Sequence, residues 1–207
     1  LEQIQIALPN LGKSSEIPAP EEYEYWKAAE QRIFYIDYEV DEDYSLLELA
    51  KTIIRLNFEE KNVPKDELKP IYILIHCFGG DLEQSNFMCD LIKASRIPVI
   101  TVAMGAAMSA GFLMFISGHK RYAFPHSQLL VHSGSAQLTG TAEQIEEAQK
   151  NYKKTLDEMK KYILENTEIS EKTFNSNRKK DWYLTAEELV KYKVVDGLIT
   201  DLSVLFE

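Results

Sequence analysis

Two stretches decide the fold: Ile71-Tyr72-Ile73-Leu74-Ile75-His76-Cys77-Phe78-Gly79-Gly80, and Pro98-Val99-Ile100-Thr101-Val102-Ala103-Met104-Gly105-Ala106-Ala107-Met108-Ser109-Ala110-Gly111. Each opens with a short continuous apolar run, the pattern of a strand buried on both faces of a parallel sheet. The strands are read over residues 71–75 and 98–102. Each run then enters a glycine-rich turn, His76 to Gly80 in the first and Met104 to Gly111 in the second. A helix is expected after each, over residues 81–95 and from about 108 to 118. Residues 97–118 carry no charge, a length that would cross a bilayer as one helix. Pro98, Gly105 and Gly111 interrupt it, and residues 99–102 are rich in β-branched side chains. Strand, turn and buried helix is the better reading.

The same alternation extends both ways. Residues 1–22 show no period and read as an arm, with a short helix over 23–31. Residues 32–38 read as a strand. Ser45-Leu46-Leu47-Glu48 is a capping box opening a helix whose Leu46, Leu49, Ile53 and Leu56 share one face. Residues 57–70 form a polar loop. Short strands are expected at 122–124, 129–131 and 198–199. Thr141-Ala142-Glu143-Gln144 opens a long helix reaching about Asn166, and Thr185-Ala186-Glu187-Glu188 opens a short one. Strands alternating with helices define an α/β protein with mainly parallel pairing.

Composition narrows the function. The chain has 207 residues, 45% hydrophobic and 27% charged, enough for one full core without a disulfide framework. A net charge of −10 disfavours binding to a phosphate backbone, and the longest basic run is Arg178-Lys179-Lys180. No nucleic acid and no membrane partner is expected. Cys77 and Cys89 form no CxxC pair, which points to reduced thiols and a cytoplasmic protein. The first 20 residues hold three prolines and no apolar run of signal-peptide length.

Both glycine-rich turns fall at the carboxyl edge of the sheet, where ligand sites collect. Neither has a Walker lysine or GxGxxG spacing, so phosphate binding is not expected. One turn could supply a backbone donor to an oxyanion. The other could hold a serine at a helix start beside a second donor. A serine there needs a base. Of His76, His119, His126 and His132, the last ends the apolar run 129–131, and a strand could project it into a site. His126 follows a proline in a turn, and His119 reads as a helix-end residue. The four have no metal-ligand spacing, so no metal is expected. An acidic group must orient the base. Asp181 precedes Trp182-Tyr183-Leu184, an aromatic stretch able to bury a carboxylate, while Asp81 reads as a helix N-cap and Asp90 as mid-helix. Cys77 and His76 point to opposite faces of one strand, which disfavours a cysteine nucleophile.

These residues resemble, in order, the ClpP family of serine peptidases, the proteolytic subunits of Clp proteases. The likeness runs from about residue 32 to 198. Residues 71–80 look like the family's strand and glycine pair, and Gly105 to Gly111 like its nucleophile segment. Lys120 to Pro125 with Leu129-Leu130-Val131-His132 looks like the hairpin carrying its histidine. Lys180 to Ala186 looks like its aspartate segment, and Val194 to Ile199 like its closing strand. The resemblance implies Ser109 as nucleophile, His132 as general base and Asp181 as its orienter, with the Gly80 and Ala110 amides as oxyanion hole. It implies the ClpP/crotonase-like fold of repeated β-β-α units, with residues 1–30 an atypical arm and 31–207 one peptidase domain. A handle is implied over about 133–166, its strand near 135–140 followed by the long helix. It further implies a homo-oligomer, a heptameric ring that stacks as one of two and encloses a chamber for polypeptide substrates. A Clp ATPase or a ClpP paralogue would be the partner, and ATP would be used only by such an unfoldase, leaving this chain without a cofactor.

Five departures from the family pattern stand out. Phe78 replaces the proline before the glycine pair, and Ala110 a methionine. Gly134 replaces a proline, and Lys180 an arginine. The Ser109-to-His132 hairpin is also shorter by about two residues. Three alternatives to a chamber peptidase follow: a non-catalytic ring subunit scaffolding active paralogues, a phage prohead-type maturation protease, and an acyl-CoA enzyme of the crotonase fold. The first would usually lose a member of the Ser-His-Asp set, and the last needs none.

Overall fold

The computed structural model describes residues 19–41 and 45–205, with the side chain of Ser45 outside the description. The Ser45 capping box therefore lies outside the described side chains. Strands β1 (Ile33–Ile36), β2 (Ile71–Cys77), β3 (Val99–Met108), β4 (Lys120–Ala123) and β7 (Gly197–Leu198) lie side by side in that order. Strand β5 (Gln128–Val131) pairs with β3 as well, and β6 (Trp182–Leu184) pairs with β5. Every pairing is parallel except β5 with β6. Helices α1 (Pro20–Glu30), α2 (Ser45–Glu59), α3 (Leu82–Ala94), α4 (Ala110–Ile116), α5 (Ala142–Asn166), α6 (Glu171–Asn177) and α7 (Ala186–Lys191) complete the chain. The α/β class with a mainly parallel sheet is as expected.

The uncharged stretch around Ser109 becomes the centre of the core. All seven residues of α4 are buried, and Met114, Phe115 and Ile116 have no exposed surface. A helix apolar on every side must be enclosed on every side. The described residues contain no helix long and apolar enough to cross a membrane. Strand β2 is asymmetric rather than equally buried on both faces. Ile71, Ile73, Ile75 and Cys77 are sealed, while Tyr72, Leu74 and His76 are half-buried. Local chemistry sets several ends as the sequence predicts. Asp81 accepts the Gln84 amide at 2.8 Å to start α3. Reciprocal Thr141–Gln144 and Thr185–Glu188 bonds start α5 and α7.

Four expectations need correction. Strand β3 runs through Gly105 to Met108 and α4 starts only at Ala110, so the second turn is a single residue, Ser109. The extension exists because β3 changes partner, pairing with β4 at Ile100–Ala103 and with β5 at Ala106–Met108. Gly105 makes the bend at φ +99°. Residues 135–140 form no strand, because they have no pairing partner among the described residues. Helix α2 continues to Glu59, shortening the expected loop. Helix α6 is unanticipated; Ser170 caps it by accepting the Thr173 amide at 3.1 Å, and Phe174 anchors it in the core.

An ion pair ties the residue after α2 to the residue before β1. The guanidinium of Arg32 donates to both carboxylate oxygens of Glu60 and to the Lys69 carbonyl. These hydrogen bonds hold the Glu60 carboxyl below its usual range. Its folded pKa is depressed, so its contribution is complete above the unfolded value, about pH 4.3, and fades as pH falls through the folded one. Glu60→Gln should cost about 1 kcal/mol at neutral pH, the scale of a partly exposed ion pair. Urea midpoints of the two proteins should converge as pH falls below the unfolded value and through the depressed folded one. A gap that stays constant with pH would contradict this origin.

Candidate active site

Ser109 sits where β3 stops and α4 begins, with φ 52° and ψ −117°. A non-glycine residue in that region carries strain of about 1–3 kcal/mol unless its surroundings hold it. Here its amide donates to the Leu130 carbonyl at 3.1 Å, and its own carbonyl accepts the Phe112 and Leu113 amides. The neighbouring turn must leave room. A Cβ on Gly79 would stand 2.8 Å from the Ser109 Cβ, so glycine is required there. Gly111 is needed for a similar reason, since a Cβ there would stand 2.9 Å from the Cys77 carbonyl oxygen.

His132 follows the last residue of β5. Its Nε2 lies 2.7 Å from the Ser109 Oγ. Its Nδ1 faces Asp181, 3.5 Å from Oδ1. The tautomer with its proton on Nδ1 leaves Nε2 to accept the serine hydroxyl hydrogen. The β5–β6 ladder sets this meeting. Val131 pairs with Trp182 in an antiparallel register, so the next residue outward on each strand is His132 on one and Asp181 on the other. The aromatic stretch after Asp181 does not bury it. Trp182 and Leu184 turn into the core, while 63% of the Asp181 side chain is exposed. Alternation along β6 explains the correction, because one face of a strand is spent on the core and Asp181 precedes it on the open side.

The Gly79-Gly80 turn lies beside Ser109. Val40 donates to the Gly79 carbonyl and accepts from the Asp81 amide. In this parallel bridge the groups of Gly80 itself point away from Val40. A Cβ on Gly80 would stand 1.9 Å from the Val40 oxygen, and its φ of +128° favours glycine independently. Gly80, Ser109, Ala110 and His132 all line one groove of about 800 Å³, bounded on its far side by α5.

The other candidates fall elsewhere. His76 binds the Met104 carbonyl through Nδ1 at 2.7 Å and packs edge-on against Phe78. His119 does not cap a helix; it exchanges hydrogen bonds with Val99, its Nδ1 accepting the Val99 amide. Burial lowers its pKa, which suits that acceptor role. His126 is exposed in a turn. Cys77 and Cys89 are free and buried, and burial raises both thiols, Cys89 to about 11. Neither is poised as a thiolate. No group of three metal-ligating side chains occurs among the described residues. Sequence reasoning misses three serines around the site. Buried Ser85 donates to the Ala110 carbonyl at 3.0 Å. Ser127 accepts the Gly105 amide and donates to the Ala103 carbonyl. Ser133 donates to the Arg178 carbonyl. All four bonds span distant parts of the chain and leave no local signal.

The fold is a crossover α/β sheet whose glycine turn, serine turn and histidine strand end share one groove. The chain belongs to the Clp protease family, whose model matches residues 21–201. Its relatives include an ATP-dependent Clp protease proteolytic subunit of Deinococcus radiodurans. That protein is 25% identical over 84% of this chain and 83% of its own length. Subunit 2 of the same protease from Corynebacterium efficiens is 30% identical over 82% of this chain and 83% of that protein. In fold, a ClpP1 point mutant from Listeria monocytogenes superposes with a TM-score of 0.74. That match covers 88% of this chain and 99% of the other, at 22% identity.

The Gly80 contact yields a direct expectation. Gly80→Ala should destabilise the fold by more than about 1–3 kcal/mol, the cost of the backbone conformation before the Val40 collision is added. Denaturant midpoints at fixed protein concentration measure it, and a wild-type midpoint would show that the turn relaxes freely.

Proposed function

We propose that this chain is a serine endopeptidase. Ser109 is the nucleophile, His132 the general base and Asp181 the group that orients it. The observation that carries the reading is the 2.7 Å contact between Ser109 Oγ and His132 Nε2, with Asp181 facing the other ring nitrogen. Family membership supports it independently.

The chemistry is acyl transfer through a covalent intermediate. Ser109 Oγ attacks the peptide carbonyl carbon as His132 Nε2 takes its proton. The carbonyl oxygen becomes an oxyanion, stabilised by the Gly80 and Ala110 amides. His132 returns the proton to the departing amine, and an acyl-Ser109 remains. Water, deprotonated by the same imidazole, releases the second product. No step calls for a metal or a cofactor from this chain.

The substrate is an unfolded polypeptide, presented extended along the groove. The strand end after β5 offers backbone for pairing with it. The working form is a homo-oligomeric ring of seven subunits enclosing a chamber, alone or stacked on a second ring, in the cytoplasm. A Clp-type ATPase would supply unfolded chains and use the ATP. The relatives' names, which join "ATP-dependent" to "proteolytic subunit", support that division of labour.

Intact-mass analysis after fluorophosphonate treatment tests the reading. Wild type should gain a single adduct, and Ser109→Ala none. Ser109→Ala should lose peptide hydrolysis by at least about a thousandfold, and adding His132→Ala or Asp181→Ala should cost little more, because the three act as a unit. Full activity in Ser109→Ala would refute the assignment.

A further inference from the structure

We propose that Ser133 is a positioning residue that holds Asp181 against His132, and that Tyr152 couples helix α5 to this clamp. The inference rests on the peptidase reading of Ser109, His132 and Asp181.

Asp181 is weakly held for a group assigned to orient a base. Its carboxylate is mostly exposed, and His132 is its one side-chain partner among the described residues, at the long distance of 3.5 Å. The antiparallel ladder that brings the pair together stops one residue short of it, at Val131 and Trp182. Beyond the pair, ladder bonds are replaced by one side-chain bond. The Ser133 hydroxyl donates to the Arg178 carbonyl, at the C-cap of α6. That oxygen is among the last carbonyls of a helix, which lack an intrahelical partner. Phe174, one turn earlier, is buried, so Ser133 ties its strand end to an anchored element.

The result is a closed ring of backbone. One side runs Val131-His132-Ser133, and the other runs Arg178 to Trp182. The Val131–Trp182 pairing closes it at one end and the Ser133–Arg178 bond at the other. His132 and Asp181 face each other inside. The Lys180 amide also donates to the Asn177 carbonyl at 3.1 Å, but that bond lies within the turn after α6 and does not reach the end of β5. Opening the Ser133 end would therefore let this turn move relative to His132, and the Asp181 carboxylate has no other side-chain bond among the described residues to stop it. Tyr152, on α5, donates its hydroxyl to the Ser133 carbonyl at 3.3 Å. The same tyrosine lines the groove. A substrate that shifts α5 therefore also shifts the ring holding Asp181.

The test compares Ser133→Ala, Ser133→Thr and Tyr152→Phe, first in wild type and then in Asp181→Ala, using a short fluorogenic peptide. Wild type is first checked for fluorophosphonate labelling at Ser109; no adduct would overturn the peptidase reading and the clamp with it. With labelling established, Ser133→Ala should lower kcat about ten- to a hundredfold, the range for misplaced catalytic groups, with KM within about twofold. Ser133→Thr, which keeps the hydroxyl, should restore most of it. In Asp181→Ala the Ser133→Ala change should have no further effect, since it acts through the missing carboxylate. Tyr152→Phe should give a smaller kcat loss that also disappears in Asp181→Ala, and it decides the matter if Ser133→Ala does not fold. Unchanged kcat in Ser133→Ala, or the same fold-loss in both backgrounds, would overturn the proposal.

Discussion

Strand β3 serves two partners, and the rest of the site follows from that division. A straight strand would carry β4 along its whole length and leave β5 no place beside Ser109. Gly105 bends β3 after Ala103, where pairing with β4 ends. Ser127 staples the break by bonding the carbonyl before it and the amide after it. The upper half of β3 is then free to pair with β5. This pairing lets Leu130 accept the Ser109 amide and brings the end of β5 level with the end of β3. Ser109 and His132 meet because adjacent parallel strands end together. Asp181 joins them because β5 recruits β6 on its other edge.

The elements that sequence discloses are those whose cause is local. Asp81, Thr141 and Thr185 each accept an amide three residues later, so residue type and spacing are sufficient to locate those helix starts. Buried strands announce themselves through runs such as residues 71–75. The missed features have distant causes. Gly105-Ala106-Ala107 has poor strand propensity and is extended only because β5 lies beside it. The strand that the family resemblance implies at residues 135–140 does not form, because a strand needs a partner and none lies beside it among the described residues. The position of Asp181 at the mouth of the site could be suspected from its neighbours, yet its exposure depends on which way β6 alternates. The Ser133 bond, 45 residues in span, has no signature at all.

Exposure changes what Asp181 can contribute. A carboxylate in a dry pocket orients and stabilises an imidazole strongly through its field. Near bulk water the same charge acts at about 1 kcal/mol at 4 Å, so field strength alone is a weak guide. Position becomes the larger lever. A carboxylate facing Nδ1 selects one tautomer even when its field is weak, and a wandering one selects none. On the proposed peptidase reading, the ring closed by Ser133 and the β5–β6 ladder therefore matters more than burial would.

The strain at Ser109 has the complementary logic. Its backbone region is one that most residues avoid, and the site cannot relax it without moving the hydroxyl away from His132. Helix α4 supplies the restraint. Seven consecutive buried residues leave that helix no alternative position, each large side chain adding about 1.5–3 kcal/mol when fully buried. Gly79 and Gly111 remove the side chains that would otherwise push the serine turn outward. The apolar run that resembles a membrane span is thus the anvil on which one strained residue is held, and its lack of charge follows from that mechanical task.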